Sequence, residues 1–166
     1  MNGGDPAQGT PIDARLPQPV TINWPEKQSS VYKRVNVEFG GNLATQTTGN
    51  VVWAVQGDAA STTGNQYRWK LRGGMLVAVV TDDCQGTGTD ILFLSDNTDS
   101  CIVPLGILDL AAPNGSEITD GVFCFDLGAG MLSRADGNKL LVSSNGDIGS
   151  GKIRVTGVVW GEEVPR

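Results

Sequence analysis

The stretch that decides the fold is QYRWKLRGGMLVAVVT, residues 66–81. Its first half alternates polar and apolar side chains, with Tyr67, Trp69 and Leu71 on the inward face and Gln66 and basic residues on the other. A period of two is typical of a half-buried β-strand, because successive side chains point to opposite faces. The second half, residues 75–81, is a continuous apolar run rich in valine, as expected for a central strand. The Gly-Gly pair at 73–74 predicts a turn between two strands.

The rest of the chain predicts further strands separated by turns rich in Gly and Asn. These strands are 31–39, 50–56, 91–95, 101–110, 121–127, 139–143 and 152–160. Pro104 lacks the N–H that a strand ladder needs, so 101–110 is predicted to be an edge strand, a bulge or two short strands. Few long windows lack both Gly and Pro, which leaves little room for helix. Eight or nine strands favour an antiparallel β-sandwich or barrel, jelly-roll-like, over an immunoglobulin fold.

The alternating pattern also predicts the core. Large apolar side chains on the inward phase of each strand are expected to be buried. The predicted core residues are Trp53, Trp69, Val77, Val79, Phe93, Phe123 and Val155.

The first 30 residues differ in composition from the rest of the chain. They predict an extended Pro/Gly-rich N-terminal arm (1–30) before a β-sandwich domain (31–166). Such a segment cannot bury enough surface to fix itself, so we expect neighbouring subunits to hold it. The alternative is that the arm packs along its own domain. The apolar anchors available in the arm are Ile12, Leu16, Val20, Ile22 and Trp24.

Composition argues against several classes of function. The chain has no histidine, which removes the commonest general base and zinc ligand. A net charge of −6 argues against direct nucleic-acid binding. No apolar run approaches the roughly 18 residues that span a bilayer, and no export signal is visible. We therefore expect a non-enzymatic protein made in the cytoplasm, with no catalytic residues, cofactor, metal site or membrane span.

The cysteines and the acidic loops give weak signals. Cys84, Cys101 and Cys124 match no zinc or redox spacing, and their odd number favours reduced, buried thiols over a Cys84–Cys101 bridge. Five aspartates lie in or near the loops between residues 82 and 99, but no ordered calcium-ligand spacing is present, so solvated turns are favoured.

Two features predict contacts with partners. Arg68, Lys70 and Arg72 form a basic face that fits an acidic neighbour or a phosphate; the alternative is the solvated face of a half-buried strand. Trp160 is predicted to anchor a subunit contact, because an interface pocket favours a large rigid ring.

Two alternatives of other classes remain open. Glu38 and Asp126 would form a glycosidase pair if the fold brings them together. Exposed tryptophans would form a sugar platform, which corresponds to a carbohydrate-binding or adhesin-type β-sandwich module.

The arm over residues 1–30, the Thr-Gly-Asn turns of a compact sandwich and the lack of a catalytic constellation resemble the small virion proteins of double-stranded DNA bacteriophages. Two groups have these features: capsid decoration or cement proteins of tailed phages, and small single-jelly-roll coat proteins of tailless icosahedral phages. The resemblance implies a structural protein of the outer capsid shell of a virion. Its arm and sheet edges would bind other capsid subunits, and it would form homo-oligomers.

Overall fold

Strands dominate the computed structural model, which describes residues 30–46, 49–55, 67–96, 101–133 and 139–165. The strands are β1 (Ser30–Asn42), β2 (Val51–Ala54), β3 (Tyr67–Asp82), β4 (Thr89–Asp96), β5 (Cys101–Asp109), β6 (Phe123–Leu132), β7 (Lys139–Ser143) and β8 (Asp147–Pro165). A short 3₁₀ turn, Leu43–Thr45, follows β1. The predicted all-β class is confirmed. The five arm anchors predicted from the sequence lie outside the described residues.

The strands form two antiparallel four-stranded sheets. The front sheet has the order β1-β8-β3-β6, and the back sheet has the order β2-β7-β4-β5. The first strand pairs with the last, the second with the seventh, the third with the sixth and the fourth with the fifth. This nested pairing is that of one long antiparallel hairpin rolled into two layers, which is the jelly-roll topology. The predicted jelly-roll-like sandwich is confirmed.

The hydrophobic core fills the space between the two sheets. Trp69 of the front sheet and Trp53 of the back sheet are its largest fully buried side chains. The indole N–H of Trp53 donates a hydrogen bond to Oε1 of Glu163 at 3.1 Å, so this ring retains a polar contact at the edge of the core. The predicted burial of Trp53, Trp69, Phe93 and Val155 is confirmed.

Strand β3 departs from the prediction, because it continues through the Gly-Gly pair at 73–74 instead of turning there. A bulge between Leu71 and Gly73 makes Arg72 an extra residue against β8. One extra residue moves every later side chain to the opposite face of the strand. The buried positions therefore change from odd to even numbers: Trp69 and Leu71 before the bulge, and Leu76, Ala78 and Val80 after it.

Three predicted core positions are wrong for physical reasons that the fold supplies. Val77 and Val79 lie after the bulge, so they point outward and are only partly buried. Phe123 is partly buried against the core because it lies on β6, an edge strand. The prediction for Pro104 is confirmed, since β5 is an edge strand of the back sheet and its register against β4 shifts between Pro104 and Gly106.

The structure shows the bonding state and the exposure of two cysteines, Cys84 and Cys124. Cys84 is a free, buried thiol, so the alternative of a bridge between Cys84 and Cys101 is not formed. Cys124 is also free but exposed, which contradicts the expectation of burial. It lies opposite Met75, on the face of β6 that points away from the back sheet.

Candidate binding surface

The outward face of the front sheet carries an apolar band, which we define as Tyr32, Met75, Val77, Val158 and Trp160. Cross-strand pairing places these side chains on one face, because directly paired residues point to the same side of a sheet. Val158 pairs with Met75, and Trp160 pairs with Tyr32. Thr156 pairs with Val77 in the next row. The band crosses the central strands β8 and β3 and reaches the edge strand β1.

The band is exposed to solvent in the single chain. Tyr32 is 71% exposed and Met75 is 44% exposed, while the other members are partly exposed. Val122, directly before β6, is a further exposed apolar residue, at 60%. A contiguous apolar patch on a soluble protein marks an interaction site more often than isolated exposed residues do.

The bulge in β3 is the reason for the band. Without the extra residue Arg72, the even-numbered positions of the second half of β3 would face outward and Met75 and Val77 would enter the core. Glycine at position 73 then lets the ring of Trp160 lie flat on the sheet beside the bulge. The bulge therefore places the odd-numbered residues of this apolar run on the surface, while the even-numbered residues remain in the core.

The predicted basic face lies at one end of the same outward surface. Arg72 donates from Nε and Nη2 to Oε1 of Glu162, at 3.1 and 2.8 Å. Nζ of Lys70 lies 3.9 Å from Oε2 of the same carboxylate. Arg68 is partly buried and pairs in register with Val164. The structure thus brings Lys70, Arg72 and Trp160 onto one face, and Glu162 balances part of the basic charge.

The opposite end of this surface carries exposed ion pairs. Nη2 of Arg154 lies 2.6 Å from Oε2 of Glu38, and Nζ of Lys152 lies 3.4 Å from Oδ2 of Asp82. The hydrogen bond from Arg154 outweighs desolvation and lowers the pKa of Glu38 from its ordinary value. The Thr81 hydroxyl donates a second hydrogen bond to the same carboxylate at 3.3 Å.

The glycosidase alternative fails on geometry. Glu38 lies on β1 and Asp126 on β6, with β8 and β3 between them. Three strand spacings of about 4.8 Å separate them by about 14 Å, even before their offset along the strands is counted. Glycosidase carboxyl groups lie no more than about 9.5 Å apart. This pair cannot act on one glycosidic bond.

The loop aspartates are engaged separately. Asp83 accepts a hydrogen bond from the N–H of Asn114 at 2.7 Å, and Asp90 accepts one from the hydroxyl of Ser144 at 2.9 Å. Across the described ranges, no group of three or more acidic or cysteine side chains is placed to hold a metal ion. No helix within these ranges is long and apolar enough to cross a membrane.

A groove of about 400 Å³ lies beside the end of β1 and the first part of β8. Glu38 and Lys152 contribute its charged side chains, and four glycines supply much of the remaining lining. Gly40 and Gly151 approach so closely that a Cβ on Gly40 would overlap the carbonyl oxygen of Gly151. The groove is thus built mainly from backbone, with few side chains that discriminate between ligands.

Sequence reasoning identified Trp160 as a contact residue but did not include Tyr32, Met75 and Val158 in a binding surface. The alternation in β1 places Tyr32 outward, so a signal for that residue was present. The signal for Met75 was absent, because a continuous apolar run does not reveal which face is buried. In β8, Arg154 and Thr156 alternate with apolar residues, so a signal that Val158 faces outward was present. Comparisons of the chain with protein-family models, curated proteins and solved structures find no match.

Proposed function

We propose that this chain is a non-enzymatic structural protein of a virion shell, either a decoration protein or a small jelly-roll coat protein. It self-associates through its sheet surfaces. The observation that carries the proposal is the apolar band on an outward sheet face, which a single chain leaves in contact with water. The jelly-roll topology supports it, since viral capsid proteins use this fold, but lectin domains use it as well.

Assembly of the purified full chain tests the proposal. We expect sedimentation velocity and electron microscopy to detect oligomers or particles whose proportion rises with protein concentration. Burial of apolar surface drives such association, so it should weaken on cooling. A monodisperse folded monomer at every concentration would contradict the proposal.

A carbohydrate-binding module is a second candidate, supported by one observation. Tyr32 and Trp160 are register partners on adjacent strands, so two aromatic residues are neighbours on the outward face, Tyr32 exposed and Trp160 partly exposed. Aromatic faces stack on the apolar faces of sugars. Binding on a glycan array that is lost in Trp160→Ala and kept in Tyr67→Ala would favour this candidate. Tyr67 is a suitable control because it is an exposed aromatic outside the band.

A further inference from the structure

We propose that the apolar band is the contact through which two copies of this chain pair face to face. The inference rests on the proposed self-association, and it names the surface and the symmetry used. Two β-sheets that pack face to face interdigitate the side chains of their facing layers. The front sheet already packs in this way against the back sheet through its inner face. Its outer face presents a second layer of apolar side chains.

The two edges of this face carry opposite charges. Arg34 lies on the exposed side of β1, in the row of Val158 and Met75, and has no ion-pair partner within the described residues. Asp126 lies on the exposed side of β6. Its carboxylate accepts a hydrogen bond from the N–H of Gly128 at 2.7 Å and contacts no cation in the described part of the chain. Glu38, farther along β1, is paired with Arg154, so the unpaired charge next to the band is positive at the β1 edge and negative at the β6 edge.

This charge distribution selects one symmetry. A twofold axis parallel to the strands, lying between the two copies, places β1 of one copy over β6 of the other. An isologous contact makes each pairing twice. This axis keeps the position of each row along the strands, so Arg34 of each copy lies over Cys124 of the other and one row, about 7 Å, from Asp126. The extended Arg34 side chain spans that offset, while Val158 and Met75 meet at the centre. An axis perpendicular to the strands that passes through the Arg34 row would place β1 over β1 and bring the two Arg34 side chains together.

The size of the face is sufficient for a specific contact. The outward positions of β1 run from Tyr32 to Gly40, and the sheet is four strands wide. At about 3.4 Å per residue and about 4.8 Å per strand, the face measures roughly 30 by 20 Å. Two copies would bury about 1,200 Å² in total, the lower end of specific interfaces. We expect a dimer that dissociates on dilution.

A charge at the centre of the band tests the surface. In sedimentation velocity of the full chain, Met75→Glu should weaken dimerisation at least about tenfold, because it buries an unpaired carboxylate. Ile107→Glu is the matched control: Ile107 is 73% exposed on β5 of the back sheet, outside the band. Thermal melting establishes that both variants fold. If the wild type forms oligomers and Met75→Glu leaves their proportion unchanged, this inference alone is wrong. If the wild type is a monomer, the proposed function is wrong as well.

Charge reversal tests the symmetry. Arg34→Glu and Asp126→Lys should each weaken the dimer, and the double variant should restore most of the loss, because the two groups meet across the contact. Failure of the double variant to recover affinity, with both single variants weakened, would overturn the proposed axis.

Cys124 provides a readout of what covers the face. It lies beside Met75 and is exposed in the single chain. In a Cys101→Ser background, its alkylation by iodoacetamide should slow as protein concentration rises. Slow alkylation at all concentrations would mean that another segment of the same chain covers the face, which would overturn pairing with a second copy.

Discussion

The indole ring of Trp160 on β8 lies over Gly73 on the neighbouring strand β3. A Cβ added at Gly73 would lie 2.6 Å from Cζ2 of Trp160 and 2.7 Å from the carbonyl oxygen of Phe125. Both distances are far below ordinary carbon contacts, so any side chain at this position has to displace the ring or the backbone of β6. The glycine allows the aromatic ring to lie on the sheet and complete the apolar band.

Gly73→Ala should therefore destabilise the fold by about 1–3 kcal/mol, the usual cost of overpacking. The free energy of unfolding from urea titration measures it. In a Trp160→Ala background the same substitution should cost less, because one of the two obstacles is removed. An equal loss of unfolding free energy in both backgrounds would mean that the Trp160 ring moves aside without a measurable cost.

The bulge at Arg72 predicts that substitutions at two adjacent residues destabilise the fold to very different degrees. Leu76→Ala should cost about 2–5 kcal/mol, because Leu76 is fully buried and the substitution leaves a cavity. Val77→Ala should cost less than about 1 kcal/mol, because Val77 faces outward. Urea unfolding of the two variants gives the comparison, and a reversed order would contradict the bulge.

The carboxylate of Glu162 is expected to contribute to stability. It is mostly removed from water and accepts two hydrogen bonds from Arg72. Glu162→Ala should destabilise by about 1–3 kcal/mol, since it leaves the guanidinium without its partner. Lys152→Gln breaks an exposed pair and should change stability by less than about 0.5 kcal/mol. Thermal or urea unfolding in the same buffer compares them.

Acid should remove one stabilising contact at the β1 edge. The pKa of Glu38 is lowered below its ordinary value of 4.5, chiefly by the hydrogen bond from Arg154. Because the folded pKa is lower than the unfolded one, its contribution is complete above the unfolded pKa and is lost as pH falls through the folded pKa. Carboxyl NMR titration should place the Glu38 midpoint below 4.5 and move it upward in Arg154→Gln. An unchanged midpoint in that variant would exclude Arg154 as the cause.

The two described thiols should differ in reactivity. Burial, together with the nearby carboxylates of Asp109 and Asp83, raises the pKa of Cys84. The thiolate is the reactive form, so Cys84 should resist alkylation near neutral pH until the protein unfolds. Cys124 in the dilute protein should react first. Peptide mass spectrometry of the Cys101→Ser variant at low concentration distinguishes the two sites, and early modification of Cys84 would contradict its burial.

The sequence was informative wherever one face of a strand is polar. The alternation in the first half of β3 correctly predicted the burial of Trp69, and Pro104 correctly predicted an edge strand. It was uninformative in residues 75–81, because a run of apolar residues has no phase. The Gly-Gly pair was interpreted as a turn, whereas it accommodates aromatic rings from neighbouring strands.

The candidate surface depended on the same ambiguity. Its existence requires the bulge, which is a pairing relation between β3 and β8 and is not encoded in either strand alone. Charge patterning gave Lys70 and Arg72 as a basic face but could not reveal Glu162 as their partner, since these residues are far apart in the chain.

The nested strand pairing also orders events during synthesis. Strand β8 lies between β1 and β3, and it is the last of the described strands to leave the ribosome. Until it emerges, β1 and β3 have no central strand to join them, whereas β4 and β5 are close in sequence and can pair early. The apolar band, which takes Val158 and Trp160 from β8, therefore forms last. A nascent chain would thus lack the complete apolar band until β8 has folded onto β1 and β3.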